Sequence, residues 1–255
     1  MHILVSNDDG IDAQGIYALT QELRTIGKVS VVAPDRQQSA VGHAITMQSP
    51  LRAHPIQKDG EFFGFAVNGT PADAVKLAIR CLVKEPVDLL ISGINHGSNT
   101  AINILYSGTV SAATEGTILG IPSIAVSLTT YDEADFSVAA RFARDLALIV
   151  HEKGIPKGTL LNVNVPAIPE KDIRGVKITS QGRSSWDDTF DVRRDPANQE
   201  YYWLTGKMKI TDTDPDTDQV AIHDHYISVT PIHYELTDRT MVERMKEWGL
   251  CRQTK

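Results

Sequence analysis

Five short runs of apolar residues, separated by segments with helical periodicity, are the feature that most constrains the fold of this chain. Each run is rich in Val, Ile and Leu, which is typical of strands buried on both faces of a sheet. Such strands alternating with amphipathic helices form βαβ units, so we predict an α/β fold with a mostly parallel sheet. The predicted strands are 3–5, 29–33, 87–91, 121–128 and 160–165, and the predicted helices are 16–26, 70–83, 109–119 and 134–153.

The pattern changes in two places. Residues 43–67 contain two prolines and a Lys-Asp-Gly turn at 58–60, which predicts a β-hairpin arm. After about residue 170 the chain carries turn residues, aromatics and short strand-like pieces such as 226–232, and only 238–248 has helical periodicity. We predict one domain over 1–255, in which 1–170 is the α/β catalytic core and 171–255 is a β-rich extension used for oligomerisation.

Composition excludes several classes of protein. A formal charge of −7 argues against a chain that coats a nucleic-acid polymer. No apolar run approaches the roughly 18 residues of a membrane span, and no signal-peptide pattern precedes the first predicted strand. The two cysteines, Cys81 and Cys251, lack metal-ligand spacing and suit a reducing compartment. We therefore expect a cytoplasmic protein.

Two adjacent carboxylates, Asp8 and Asp9, directly follow the first predicted strand. In an open α/β sheet, ligands bind at the carboxyl ends of the strands. Adjacent carboxylates repel each other and lose solvation there unless a cation compensates, so they indicate a hard metal ion. The alternative is an ordinary Asx-turn, because Asn, Asp and Gly are common turn residues.

Three more polar segments fall at the same edge of the predicted sheet. Ser39 follows the second strand, and the stretch SGINHGSN, with Asn95 and Asn99, follows the strand at 87–91. The stretch YSGTV opens the helix at 109–119, and a helix start with free N–H groups is suited to an anion. Oxygen ligands of these kinds favour Mg²⁺ or Mn²⁺ over Zn²⁺. Taken singly, the segments are also typical of solvated loops and a capped helix start.

Two other groups of residues have both a structural and a functional interpretation. Alternating aspartates at 212–218 resemble a calcium loop, but Thr217 and His223 stand where such a loop needs Gly and Glu. We interpret that segment as a solvated acidic loop. His43 and His96 lie beside the predicted site, where either can donate to phosphate or transfer a proton, or can be a bystander.

The motifs NDDG and SGINxGxN followed by YSGTV, with further matching segments over nearly the whole chain, resemble the survival protein SurE family. The resemblance implies a Rossmann-like three-layer fold and a divalent-metal-dependent nucleotidase. Such an enzyme hydrolyses nucleoside 5′- and 3′-monophosphates and, in some members, short polyphosphate. It also implies a homodimer or homotetramer with exchanged C-terminal elements, and one Mg²⁺ or Mn²⁺ ion per subunit. The implied metal ligands are Asp8, Asp9, Ser39 and Asn95, with Asn99, Ser107, Gly108 and Thr109 near the phosphate.

The predicted chemistry is metal-assisted hydrolysis of a phosphomonoester, with Asp8, Asp9 and Asn99 as catalytic residues and His43 as a further substrate contact. Water activation by Asp9 and direct attack by Asp8 both remain open. A Mg²⁺-binding phosphoacceptor module of signalling proteins is the alternative function. Such a module needs an acceptor carboxylate after its third strand, where this chain has Ser92 and Gly93.

Overall fold

A large mixed sheet with helices on both faces dominates the computed structural model, which describes residues 1–132, 134–248 and 250. The strands are β1 (His2–Ser6), β2 (Lys28–Pro34), β3 (Ala53–Lys58), β4 (Glu61–Val67), β5 (Leu89–His96), β6 (Ser123–Leu128), β7 (Thr159–Val165), β8 (Gly175–Ile178), β9 (Ser185–Arg194), β10 (Glu200–Lys209) and β11 (Tyr226–His233). The helices are α1 (Gln14–Arg24), α2 (Pro71–Leu77), α3 (Asn103–Tyr106), α4 (Gly108–Ile118), α5 (Ser137–Lys153), α6 (Asp218–His223) and α7 (Arg239–Lys246).

Among the described residues, nine strands join in the order β3-β4-β2-β1-β5-β6-β7-β11-β8. The six neighbouring strands β4, β2, β1, β5, β6 and β7 are all parallel to one another. Strand β3 runs antiparallel to β4, and strand β11 runs antiparallel to β7. Helices α1 and α5 cover one face and helices α2 and α4 the other. The predicted three-layer α/β fold is therefore confirmed.

The central strand β1 shows why the sequence forms this fold. All five of its residues are buried, and successive side chains enter opposite layers. Ile3 and Val5 pack in the core beneath α1 and α5, while Leu4 packs in the core beneath α2 and α4. A continuous apolar run is the sequence that such a doubly covered strand requires.

Helix α2 begins as its sequence predicts. Thr70 is the N-cap, accepting a hydrogen bond from the Asp73 amide while the Asp73 carboxylate accepts one from the Thr70 amide. Pro71 occupies the first helical position, where its missing N–H costs nothing. The predicted helix over 70–83 is confirmed, with its last turn widened into a π-helical turn at Ala78–Leu82.

Strand β5 is longer than predicted. The segment 92–96, interpreted from its composition as part of a loop, continues the strand to His96 and pairs with β6. The register of that pairing shifts between Ser92 and Asn95, with Gly93 at a φ of +139° in between. Glycine within a strand marks such an irregularity, and the pairing with β6 overrides the loop-like composition.

The C-terminal region contributes to the central sheet. Strands β11 and β8 extend the sheet beyond β7, and Ile227 and Val229 of β11 are buried in the core. Strands β9 and β10 form a separate antiparallel hairpin, and the helix predicted over 238–248 is α7. No helix in the described ranges is both long and apolar enough to cross a bilayer. Cys81 is exposed, and Cys251 lies outside the described residues.

The interpretation of residues 212–218 as a solvated acidic loop is wrong for Asp218. Its side chain is fully buried and accepts backbone hydrogen bonds from Ala101, Gly182 and Gln219. The donors at 101 and 182 are remote in sequence, so periodicity and local composition contain no signal for them.

Candidate active site

The two adjacent carboxylates lie where strand β1 ends at the carboxyl edge of the sheet. Asp8 is 5% exposed and accepts a hydrogen bond from the Thr109 hydroxyl at the start of α4. Asp9 is half-buried and accepts one from the His96 backbone amide at 3.1 Å. The loop after β1 is thus fastened to α4 on one side and to the end of β5 on the other.

Burial dominates the electrostatics of this pair. It raises the pKa of Asp8 to about 6; the hydrogen bond from Thr109 partly opposes this rise, and the charge of Asp9 adds to it. Burial also raises the pKa of Asp9, whereas the hydrogen bonds from His96 and Gln37 act to lower it. In the described part of the chain neither carboxylate forms an ion pair with Lys, Arg or His. The site therefore carries negative charge that the protein itself does not neutralise.

Helix α4 begins directly against Asp8. A Cβ atom at Gly108 would lie 2.6 Å from the Asp8 Cβ atom, closer than real Cβ contacts allow. Ser107 is the N-cap of this helix, since its hydroxyl accepts a hydrogen bond from the Val110 amide at 3.1 Å. The small residue at 108 thus lets the positive end of the helix dipole come close to a buried carboxylate.

Ser39 is linked to the acidic pair by Gln37, which forms hydrogen bonds with both. The side-chain amide of Gln37 donates to the Ser39 hydroxyl at 2.9 Å and to the Asp9 carboxylate at 3.5 Å. The loop is also anchored by the Gln38 amide, which donates to the Asp8 carbonyl at 2.7 Å. Sequence reasoning missed Gln37, although it lies in the same polar segment as Ser39.

The two asparagines after β5 have different surroundings. Asn95 lies at the end of the strand, beside the His96 amide that binds Asp9, and its side-chain amide donates to the Gly97 carbonyl at 2.7 Å. Asn99 is buried, and its side-chain amide donates to the Ser127 hydroxyl at 2.9 Å. The hydrogen bonds of Asn99 lead to β6 and β7 and do not reach the acidic pair.

His43 is fixed by a buried carboxylate that sequence reasoning missed. Its Nε2 atom lies 2.9 Å from a carboxylate oxygen of Glu115, which is 1% exposed and also pairs with Lys76. Burial raises the pKa of Glu115, but the hydrogen bonds and charges of His43 and Lys76 outweigh that effect and lower it. A carboxylate in a helix of small, buried residues is the signal that can identify such a site.

The loop around His43 is also tied to the start of α4. The Gly42 amide donates to the carbonyl of Tyr106, the residue directly before Ser107, at 3.1 Å. The ring of His96, by contrast, packs against Phe136 and contacts the Asp132 carbonyl at 2.6 Å, and the hydrogen bond from His96 to the acidic pair comes from its backbone amide. Of the two histidines, His43 belongs to the loop that borders the helix start.

The arrangement places a candidate cation site beside a candidate anion site. Among the described residues no group of three or more His, Cys, Asp or Glu side chains is placed to hold a metal ion, so a cation here depends on two carboxylates and neutral oxygens. The N-terminus of α4 offers backbone N–H groups for an anion at the same place. Such a pair of neighbouring sites can hold a cation and a phosphoryl group together.

A family model and the curated relatives compared with this chain carry the same family name. A family model described as survival protein SurE matches residues 3–188. A protein of Syntrophobacter fumaroxidans named 5′-nucleotidase SurE is 49% identical over 250 residues, covering 98% of this chain and 100% of its own length. A protein of the same name from Chlorobaculum tepidum is 47% identical over 249 residues, covering 98% of this chain and 95% of its own length.

A solved structure shares the fold. The crystal structure of the SurE protein from Aquifex aeolicus superposes with a TM-score of 0.85 at 39% identity, covering 97% of this chain and 99% of that one. The likeness therefore extends through the C-terminal region as well as the α/β core. Because the family model matches most of the chain and the relatives align over nearly all of it, this chain belongs to the survival protein SurE family.

Proposed function

We propose that this protein is a 5′-nucleotidase that hydrolyses nucleoside monophosphates with the help of one divalent metal ion per subunit. The observation that carries the proposal is the contact between the buried Asp8 carboxylate and the start of α4, at Gly108 and Thr109. This contact brings a cation-binding group and an anion-binding group together, as phosphoryl transfer requires. The name shared by the curated relatives gives the substrate class.

The residues present fit a hard divalent cation. Two carboxylates with raised pKa values lie side by side without an ion-pair partner in the described chain, so a cation would relieve their repulsion. We propose Asp8, Asp9, Ser39 and Asn95 as ligands, an all-oxygen set suited to Mg²⁺ or Mn²⁺. The Asn95 amide nitrogen is already bound to Gly97, which leaves the amide oxygen for the ion. When bound, the ion supplies positive charge that polarises the phosphoryl group.

The protein's own groups bind and orient the substrate. The backbone amides of Gly108 and Thr109, next to Ser107, would hold the phosphoryl oxygens, where negative charge spreads in the transition state. The Ser107 amide donates to the Asn103 carbonyl at 3.0 Å, so Ser107 would contribute to the phosphate site through the turn that it forms. Asn99 and His43 would add hydrogen bonds to the same phosphate. We assign to Asp9 the orientation and deprotonation of the attacking water at its carboxylate. Direct attack by Asp8 is the alternative, which a trapped acyl-phosphate would reveal.

Activity toward 3′-monophosphates and short polyphosphate is part of the same proposal, because a site that binds mainly phosphate tolerates different leaving groups. We propose the cytoplasm as the location, since an exposed thiol such as Cys81 suits a reducing compartment. The charge of −7 remains an argument against a nucleic-acid polymer as partner.

We propose that the C-terminal region assembles the protein into a homodimer or homotetramer by exchange of the β9–β10 hairpin. The hairpin exposes large apolar side chains, with Phe190 62%, Tyr202 58% and Trp203 58% exposed. A two-stranded hairpin is marginally stable on its own in water, so a second subunit that covers these residues would stabilise it.

Phosphate release by the purified protein tests the proposed activity. A panel of nucleoside 5′- and 3′-monophosphates and short polyphosphate should be assayed with Mg²⁺, with Mn²⁺ and after exhaustive chelation. We expect turnover of monophosphates that chelation abolishes and added metal restores. Stable phosphorylation of the protein without turnover would instead support the phosphoacceptor alternative, and undiminished activity after chelation would refute the metal site.

A further inference from the structure

We propose that Asp218 is a positioning residue for the Asn99 loop (residues 97–102), an inference that rests on the nucleotidase function proposed above. The loop joins β5, which ends beside Asn95, to α3, which leads into the Ser107 turn. Asp218 lies on α6, within the region that sequence reasoning assigned to oligomerisation. Through Asp218, this region affects the chemistry as well as the assembly.

Asp218 connects three separate segments through its carboxylate. One oxygen accepts a hydrogen bond from the Ala101 amide at 2.9 Å. The other accepts bonds from the Gly182 amide at 2.9 Å and from the Gln219 amide at 2.7 Å. The carboxylate is fully buried, so all of these bonds form away from water, where losing one is costly.

Neighbours of Asp218 hold the same loop. The Thr100 hydroxyl donates to the Gln219 side-chain carbonyl at 2.5 Å, and the Gln181 side-chain amide donates to the Ala101 carbonyl at 2.9 Å. Ala101 itself has a φ of +49°, a conformation that non-glycine residues rarely adopt. The surrounding hydrogen bonds must therefore maintain this backbone conformation.

The opposite side of the loop is fixed by strand β7. The Asn99 amide donates to the Asn164 side-chain oxygen at 2.8 Å, and the Asn99 carbonyl accepts bonds from Asn162 at 2.7 Å and from Asn164 at 3.1 Å. Two sets of side chains, one on β7 and one around α6, thus hold residues 99–101 between them. Loss of either set would leave the loop fastened on one side only.

The consequence for the reaction is geometric. Asn99 is proposed to bind the phosphoryl group, and a displacement of about 1 Å in such a residue can lower the rate about a hundredfold. A contact that forms mainly in the transition state affects kcat more than KM. The hydrogen bonds of the Asp218 carboxylate go to the amides of Ala101, Gly182 and Gln219, so Asp218 acts only by holding the loop.

The test compares Asp218→Asn with Asp212→Asn. Asp212 is a matched control because it lies in the same region and accepts backbone bonds from Arg183 and Ser184, but its bonds do not reach the Asn99 loop. We expect Asp218→Asn to lower kcat about tenfold or more with KM little changed. Hydrogen exchange of the amides in residues 97–102 should accelerate in Asp218→Asn and not in Asp212→Asn.

A second variant, Gln219→Met, removes the acceptor of the Thr100 hydroxyl and keeps the proposal testable if Asp218→Asn does not fold. It should show the same effects in smaller degree. A folded Asp218→Asn protein with unchanged kcat, or exchange that accelerates equally across the whole chain, would overturn the positioning role. If the wild type releases no phosphate from any nucleoside monophosphate, the proposed function fails, and hydrogen exchange still decides whether Asp218 fixes the loop.

Discussion

The start of helix α4 and the β9–β10 hairpin differ in the size and the solvent exposure of their side chains. Most residues of α4 are small and buried, and Gly108 allows the helix to contact a carboxylate directly. The hairpin has large aromatic residues that are mostly exposed. The contacts described for the first region come from within one chain, whereas the second has apolar surface that a single chain leaves uncovered. We infer that the first serves chemistry and the second serves assembly.

The largest effect should come from Asp8→Asn. This change removes one of two proposed anionic ligands, and we expect kcat to fall about a thousandfold or more while the fold survives. Phosphate release with excess Mg²⁺ and circular dichroism measure the two effects. Asp12→Asn is a suitable control, since the Asp12 side chain is 81% exposed. Near-normal turnover of Asp8→Asn would remove this carboxylate from the site.

Gly108→Ala should have the next largest effect. The added methyl group would meet the Asp8 side chain at 2.6 Å, so either the carboxylate or the helix start must shift. We expect a fall in kcat of about a hundredfold, because misplacement by about 1 Å suffices for that. Steady-state kinetics test the prediction, with Thr114→Ala on the same helix as control. An unaffected Gly108→Ala enzyme would show that the close contact is dispensable.

Hairpin variants should separate assembly from chemistry. A double change, Tyr202→Ser with Trp203→Ser, removes two exposed aromatic residues from β10. We expect light scattering to show a lower mass, with kcat per subunit changed less than about threefold, because the proposed site residues lie elsewhere. Leu148→Ser, at a 46% exposed position on α5, controls for the effect of replacing an exposed apolar side chain outside the hairpin. Wild-type mass in the double variant would contradict the assembly role.

Glu115→Gln should have the smallest effect, and one that depends on pH. The pKa of Glu115 is lowered in the folded state, so its pairing stabilises the protein above its ordinary value of 4.5. That stability is lost as the pH falls through the lowered value. At pH 7 we expect a loss of about 1–3 kcal/mol in the free energy of unfolding.

Denaturant unfolding at several pH values measures this difference. The wild type and Glu115→Gln should converge as the pH falls below 4.5 and through the lowered pKa, because the wild-type carboxylate then becomes protonated. Glu22→Gln breaks the pair with Arg144 and should lower the free energy of unfolding by less than Glu115→Gln does, because water screens that pair more strongly. A difference between Glu115→Gln and the wild type that stays constant from pH 7 to pH 3 would refute the proposed role of the ion pair.

The sequence by itself determined the α/β fold and the location of the acidic pair. The five apolar runs form β1, β2, β5, β6 and β7, because only strands covered on both faces need such continuous runs. The cap at Thr70 was equally readable, since its partners are three residues apart. The ligand and phosphate-binding roles of the site residues stay predictions from the sequence.

Only the tertiary structure decided which distant groups meet. Glu115 pairs with His43 across 72 positions, and Asp218 binds the Ala101 amide across 117 positions. The same holds for β11, which joins β7 inside the sheet although it lies in the predicted extension. Local patterns report on neighbours within a few residues, whereas these contacts arise from chain topology. A buried carboxylate and a solvated one therefore look alike until the fold supplies the hydrogen-bond donors.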